Sequence, residues 1–212
     1  MLVDKTETRL HAFGSSCRLI VENSTGRGDE LLATCQSEIS RLEAKFSSYD
    51  SESVISRVNQ AAGTGAFVPI DAESRSLFHY VGALWEESKH VFDPTIRLLQ
   101  NCYDSEGHLL ASQEQLRGIL GLVGWRNLEI SAEGARLTKK GMLIDLNSCI
   151  RPYTIDSIRK ILLKNETSNA LIEMDHDIAT IGKQPDGANW LVGVRVPKGT
   201  RAAITIPPAS TA

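Results

Sequence analysis

Four polar side chains of different chemistry fall within seven residues: Asp145, Asn147, Ser148 and Arg151. Before them lies Leu143–Leu146, a short apolar run broken only by Asp145. After them Ile155, Ile158, Ile161 and Leu162 recur at helical spacing. The pattern predicts a strand, then a polar turn, then a helix. Such a turn can receive an anion, because free backbone N–H groups and the helix dipole point into it.

Three other stretches carry groups suited to binding. Val91-Phe92-Asp93-Pro94-Thr95 forms a loop between two helical segments, where a rigid scaffold commonly displays ligand-contacting residues. Asp93 and Thr95 serve equally as caps of the next helix. Tyr49, in Ser47-Ser48-Tyr49-Asp50, is either a stacking surface for an aromatic ligand or a half-buried cover over a helix end. Asp175-His176-Asp177 sets two hard oxygen ligands beside an imidazole. A metal needs three or more converging groups, however, and neighbours in a turn tend to point apart. The other histidines lack zinc-protease spacing, and Ser148 lacks the Gly-x-Ser-x-Gly elbow of an α/β-hydrolase. With no glycine-rich phosphate loop, a nucleotide would have to be held in another way.

The elements that must position these groups can be read from periodicity and punctuation. Arg18–Glu22 reads as a strand after the bend at Phe13-Gly14. Asp29–Phe46 is an amphipathic helix with Leu31, Cys35, Ile39, Leu42 and Phe46 on one face. Ser51 or Ser53 caps a short helix ending at Gly63-Thr64-Gly65, and Asp71 caps one marked by Leu77, Phe78, Val81, Leu84 and Trp85. Phe67–Ile70 is extended. Ser112 caps a further helix, and short strands follow at Leu128–Ile130, Ala135–Thr138 and Leu143–Leu146. Ala170–Glu173, Ile178–Gly182, Trp190–Val196 and Ala202–Ile206 complete the strands, and Pro207-Pro208 closes the pattern. Strands and helices mix without βαβ alternation, which predicts an α+β fold.

The totals fit such a domain. The chain has 212 residues, 42% of them hydrophobic, and a formal charge of −3. That charge, with no run of Lys or Arg, gives no general attraction to nucleic acid or anionic lipid. The four cysteines are scattered without a Cys-x-x-Cys pair, which fits reduced, buried thiols rather than a zinc site. Met1–Leu10 has no apolar h-region and no run is long enough to span a membrane. A cytoplasmic location is expected, or a periplasmic one if an export segment was removed.

In their order these segments resemble the FAD:protein FMN transferase family, over about Ala12 to Pro197. Ala12-Phe-Gly-Ser-Ser-Cys17 is similar to that family's opening Met-Gly-Thr strand. Ile39–Asn59 resembles its helix, aromatic and Asp-Ser-x-hydrophobic-Ser-Arg-x-Asn signature, and Trp85–Thr95 its Ser-x-Gly-x-Phe-Asp-Pro-Thr motif. Asp145–Asp156 stands where the family has Asp-Leu-Gly-Gly-x-Ala-Lys-Gly-Tyr-x-x-Asp. Trp190–Pro197 is similar to its Trp-x-Val-Gly-Ile strand.

The resemblance implies an ApbE-like mixed fold, helices packed on an antiparallel-rich sheet, in a single domain spanning residues 1–212. It implies a transferase that moves FMN from FAD to a threonine hydroxyl of an acceptor flavoprotein, releasing AMP, with Mg2+ on the phosphates. A flavin-binding or partner-binding relative without catalysis is the alternative. Carried over by position, the flavin contacts would be Phe13, Tyr49, Val91, Phe92, Asp93, Asp145 and Arg151, with Ser148 near the metal. The chain departs from the family at Asn147-Ser148 for Gly-Gly, at Ile150-Arg151-Pro152 for Ala-Lys-Gly, at Asp175-His176-Asp177 for Gly-Gly-Asp, and at Arg97-Leu98-Leu99 for Gly-Pro-Leu. It also ends at Ala212, before the family's His-containing strand pair and its Asp and Thr metal ligands, so the C-terminal part is expected to be lacking. Pairing through the last strand would make a homo-oligomer.

Overall fold

The computed structural model describes residues 4–23, 26–184, 186–195 and 201–206. Helices and antiparallel strands are mixed in chain order, as an α+β fold requires. Two compact units make up the chain: Met1–Glu43 with Arg151–Ala212, and Ala44–Ile150. Two long helices, α1 (Gly28–Phe46) and α6 (Asn147–Lys164), contribute residues to both.

The first unit is built on a hairpin of β1 (Asp4–Ala12) and β2 (Ser15–Asn23). Its two-residue turn, Phe13-Gly14, has φ of 51° and 72°. Left-handed residues at both positions match the twist of the strands they join. Glycine takes that conformation freely. Phe13 is fixed in it by burial of its ring and by its N–H, which donates to Glu43 Oε1 at 2.6 Å. The sheet continues through β5 (Asn169–Met174) to β6 (Asp177–Ile181), in the order β1-β2-β5-β6, all antiparallel. A separate ribbon, β7 (Trp190–Arg195) with β8 (Arg201–Ile206), buries Trp190 against Ile20 and Leu171. Val196, Pro197, Pro207 and Pro208, included in the sequence expectations, lie outside the described residues.

Strand β1 is absent from the sequence reading because its letters suggest a charged segment. Lys5, Glu7, Arg9 and His11 are exposed while Thr6, Thr8 and Leu10 are half-buried, a period of two. Such charge on the outer strand of a sheet discourages pairing with another chain.

The second unit holds α2 (Val54–Gln60), α3 (Ala72–Glu87), α4 (Arg97–Gln100), α5 (Gln113–Leu120) and a hairpin of β3 (Leu128–Ser131) with β4 (Gly134–Leu137). The caps fall where the sequence places them. Ser53 accepts the Ser56 N–H, Asp71 accepts the Ser74 N–H, and Ser112 forms a reciprocal capping box with Gln115. Phe67–Ile70 is extended, with Val68 bridged to Ala135. Gly134, at φ 143°, is obligatory there: a Cβ would overlap the Val68 carbonyl.

Two expectations around the central stretch need correction. Leu143–Leu146 is not a strand. Its backbone finds partners elsewhere: the Ile144 N–H donates to Asn59 Oδ1 at 2.8 Å and its carbonyl accepts from Asn59 Nδ2 at 3.0 Å. One amide side chain thereby replaces a neighbouring strand. Nor do Asn147, Ser148 and Arg151 form a turn. Helix α6 begins at Asn147, with the Leu146 carbonyl accepting from the Cys149 and Ile150 N–H groups. Pro152 therefore lies inside the helix rather than at its start, where it removes one ladder hydrogen bond.

Candidate functional site

The end of α3 forms one wall. Lys89 and His90 have φ of 54° and 67°, the left-handed conformation that closes helices and that glycine adopts most easily. His90 is held in it by stacking on Trp85, with ring centres 3.7 Å apart, and by its N–H, which donates to the Trp85 carbonyl. The chain then leaves the helix with Val91 exposed and the Phe92 N–H donating to Ser88 Oγ.

Asp93 follows and is 7% exposed. Its Oδ1 accepts from the Thr95 N–H (2.9 Å) and hydroxyl (2.6 Å). Its Oδ2 accepts from Trp85 Nε1 (3.0 Å) and the Trp125 backbone N–H (3.1 Å). The Thr95 hydroxyl also accepts the Gly124 N–H. Asp93 and Thr95 are thus not caps of the next helix, whose N-terminus at Ile96 has no side-chain cap. They fasten the loop to α3 and to the 3-10 turn at Trp125–Asn127. A buried carboxylate is stable here because four donors surround it.

The opposite wall starts at Asp145. Its N–H donates to the Pro94 carbonyl, and its Oδ1 accepts the Asn147 N–H at 3.0 Å. Its Oδ2 lies 3.0 Å from Arg97 Nη1, which also donates to Ser48 Oγ at 2.7 Å. The same guanidinium sits 4.9 Å from the centre of the Tyr49 ring. Tyr49 is 74% exposed, so it does not cover a helix end; a ring face remains available for stacking.

These walls enclose a cleft of about 460 Å³. Of the residues expected to contact flavin or metal, Tyr49, Val91, Phe92, Asp93, Asp145 and Ser148 all line it, together with Arg97 and Asn147. Ile150 is buried and is not part of the cleft lining. Phe13 and Arg151 belong to the other unit. There Phe13 closes the first hairpin. Arg151 is engaged by Asp177 Oδ2 (3.3 Å from Nε), Ser15 Oγ (3.2 Å from Nη1) and Asp175 (3.8 Å). Arg97 lines the cleft with Ile96 and Gln100, none of which sequence reasoning placed there, and it is the charged one of the three. Its signal was present as a cation in the first turn after Asp93-Pro94-Thr95, where the resembled family has glycine.

The side chains in the cleft do not compose a magnesium site. Asp93 is surrounded by protein donors, Asp145 is paired with Arg97, and Ser148 Oγ contacts Cys149 Sγ at 4.0 Å. Among the described residues no three His, Cys, Asp or Glu side chains converge as metal ligands, the Asp175-His176-Asp177 hairpin included. All four cysteines are free and buried, and burial raises the Cys17, Cys35 and Cys149 thiols, Cys35 to about 12. None of those three is an activated nucleophile. No helix among the described residues is long and apolar enough to cross a membrane.

A mixed α+β protein with an aromatic-walled cleft is the class that fold and site define. The ApbE family profile matches residues 13–212, and the chain belongs to that family. It is 23% identical over 167 residues to the FAD:protein FMN transferase of Haemophilus influenzae, covering 75% of this chain and 48% of that protein. The chain therefore spans about half the length of that curated relative. Among solved structures it is similar to the ApbE protein of Thermotoga maritima, at 27% identity and a TM-score of 0.80 over 95% of this chain and 68% of that one. The flavinyl transferase ApbE of Pseudomonas stutzeri, at 20% identity, shares the fold with a TM-score of 0.83 over 96% and 66%.

Proposed function

We propose that the Tyr49 cleft binds a flavin nucleotide, FAD in the first instance, and that the chain serves the transfer of FMN to a protein acceptor. The observation that carries this reading is the convergence of Tyr49, Val91, Phe92, Asp93, Asp145 and Ser148 on one cleft from three separated stretches of sequence. In this reading the Tyr49 ring stacks on the isoalloxazine, Val91 and Phe92 supply apolar contact, and Asp145 receives a hydrogen bond from the ring system. Asp93 acts indirectly, by holding the loop that carries Val91 and Phe92.

The reaction served is displacement at the flavin-side phosphorus of FAD. A threonine oxygen of the acceptor forms the new P–O bond, the bond to the AMP oxygen breaks, and the hydroxyl proton is released. The cleft side chains offer Mg2+ no site of their own, so it enters this reading through oxygen donors beyond the described cleft residues. The acceptor is a flavoprotein with a target threonine.

Binding and transfer separate experimentally. Titrating FAD with the protein should quench flavin fluorescence; an unchanged signal contradicts flavin binding. Incubation with FAD, Mg2+ and a threonine-bearing acceptor domain should add the mass of FMN to the acceptor. Quenching without that mass gain identifies a flavin-binding relative and eliminates transfer.

A further inference from the structure

We infer that Arg97 is the residue that makes the cleft select a phosphorylated flavin over an unphosphorylated one. This rests on the flavin reading above but concerns a residue that reading does not use. Arg97 is fixed at three points: Nη1 pairs with Asp145 Oδ2, the same nitrogen donates to Ser48 Oγ, and the planar group lies against the Tyr49 ring. All three contacts leave Nε and Nη2 without hydrogen-bond partners among the described residues. The side chain is nevertheless only 30% exposed, and it lines the cleft.

A guanidinium in that state has lost most of its conformational freedom before any ligand arrives, yet still has donors to give. Its planar fork matches two oxygens of a phosphate, and an arginine already held in place gives up little entropy on binding one. The neighbours set what else the ligand must be. The exposed Tyr49 ring beside the guanidinium asks for a flat aromatic group, so the ligand class is a ring system linked to a phosphate. Helix α6 starts in the same wall at Asn147 and Ser148, and its N-terminal end favours the same anion.

Asp145 works against an anion and defines how Arg97 must act. With Asp145 paired at 3.0 Å, the two side chains carry no net charge between them. Attraction to a phosphate then comes from two directed hydrogen bonds rather than from a long-range field. Selection should accordingly survive moderate salt, unlike binding driven by an unpaired basic patch.

The test compares FMN with riboflavin, which differ by the phosphate alone, in the full chain with a chelator present. Wild type should bind FMN about tenfold more tightly than riboflavin, as a charged hydrogen-bonding partner provides. Arg97→Gln should bring the two affinities together, FMN losing about tenfold relative to riboflavin, and a circular dichroism spectrum matching wild type reports that the variant is folded. Arg97→Lys, which keeps the cation but not the fork, should fall between and serves if the glutamine variant does not fold. A ratio near one in wild type, or an unchanged ratio in either variant, overturns the inference. If wild type binds neither flavin, the proposed function fails on its own account. Calorimetry with inorganic pyrophosphate then decides Arg97 separately: heat of binding present in wild type and lost in the variants upholds it, and no heat overturns it.

Discussion

Arg97 and Arg151 have comparable burial, with side chains 30% and 25% exposed, and each pairs with aspartate, but the structure uses them differently. Arg151, in the sheet unit, spends Nε on Asp177 and Nη1 on Ser15, with Asp175 close by. Arg97, in the helical unit, commits one nitrogen, Nη1, to Ser48 and Asp145 and lines the cleft with its other donors unpaired among the described residues. The contrast shows that residue type and position in a motif do not tell a structural arginine from a binding one. What separates them is how many donors the fold has already consumed.

The carboxylates divide in the same way and give the largest expected effect. Asp93 is buried with four donors, so Asp93→Ala leaves Trp85 Nε1 and the Trp125 N–H without an acceptor. A loss of about 3 kcal/mol is expected, measured by chemical denaturation. Asp177→Asn in the sheet unit should cost about 1 kcal/mol or less, because its partly exposed pair with Arg151 is screened. Comparable losses would break the contrast.

Pro152→Ala comes next. Proline inside α6 removes an N–H and crowds the preceding turn, so alanine should stabilise the protein by on the order of 1–3 kcal/mol. A destabilised variant would show that Pro152 is needed where it stands.

Acid response sharpens the comparison further. In the sheet unit, hydrogen bonds from Arg18 and Arg9 hold the Glu7 carboxyl at about 2, below its ordinary 4.5. In the helical unit burial pushes the Asp71 carboxyl up, but Lys45 and Ser74 outweigh it and leave it depressed. A carboxylate depressed on folding stabilises fully above its unfolded value and loses that contribution as pH falls through the folded one. Stability should decline below about pH 4.5, and Glu7→Gln should flatten the fall between there and pH 2. An identical acid profile would mean that this exposed pair contributes nothing measurable. The smallest effect concerns the thiols: Cys35, raised to about 12 by burial, should resist alkylation at pH 8 until the chain unfolds. Rapid modification of the native protein would show local opening of α1.

Much of this was legible beforehand. The apolar face of α1 and the caps Ser53, Asp71 and Ser112 are local features, settled by nearest neighbours in sequence. The cleft was legible through the resemblance of motif order, which collected six of its residues. Long-range satisfaction of polar groups was not. Leu143–Leu146 has the letters of a strand, but Asn59, far away in sequence, meets its backbone needs instead. The start of α6 was not legible because its apolar spacing shows only from Ile155, whereas Asp145 and Leu146 already accept the N–H groups of Asn147, Cys149 and Ile150. Arg97 was visible only as a departure from a family pattern, and its purpose depends on Tyr49 and Asp145 meeting it in space.

The most direct test is flavin fluorescence quenching by wild type, by Tyr49→Ala, and by Tyr80→Ala, which removes an exposed tyrosine outside the cleft lining. Wild type and Tyr80→Ala should quench FAD equally, and Tyr49→Ala should lose about tenfold in affinity, as loss of a stacked ring implies. Equal quenching by all three proteins would contradict a flavin bound against Tyr49.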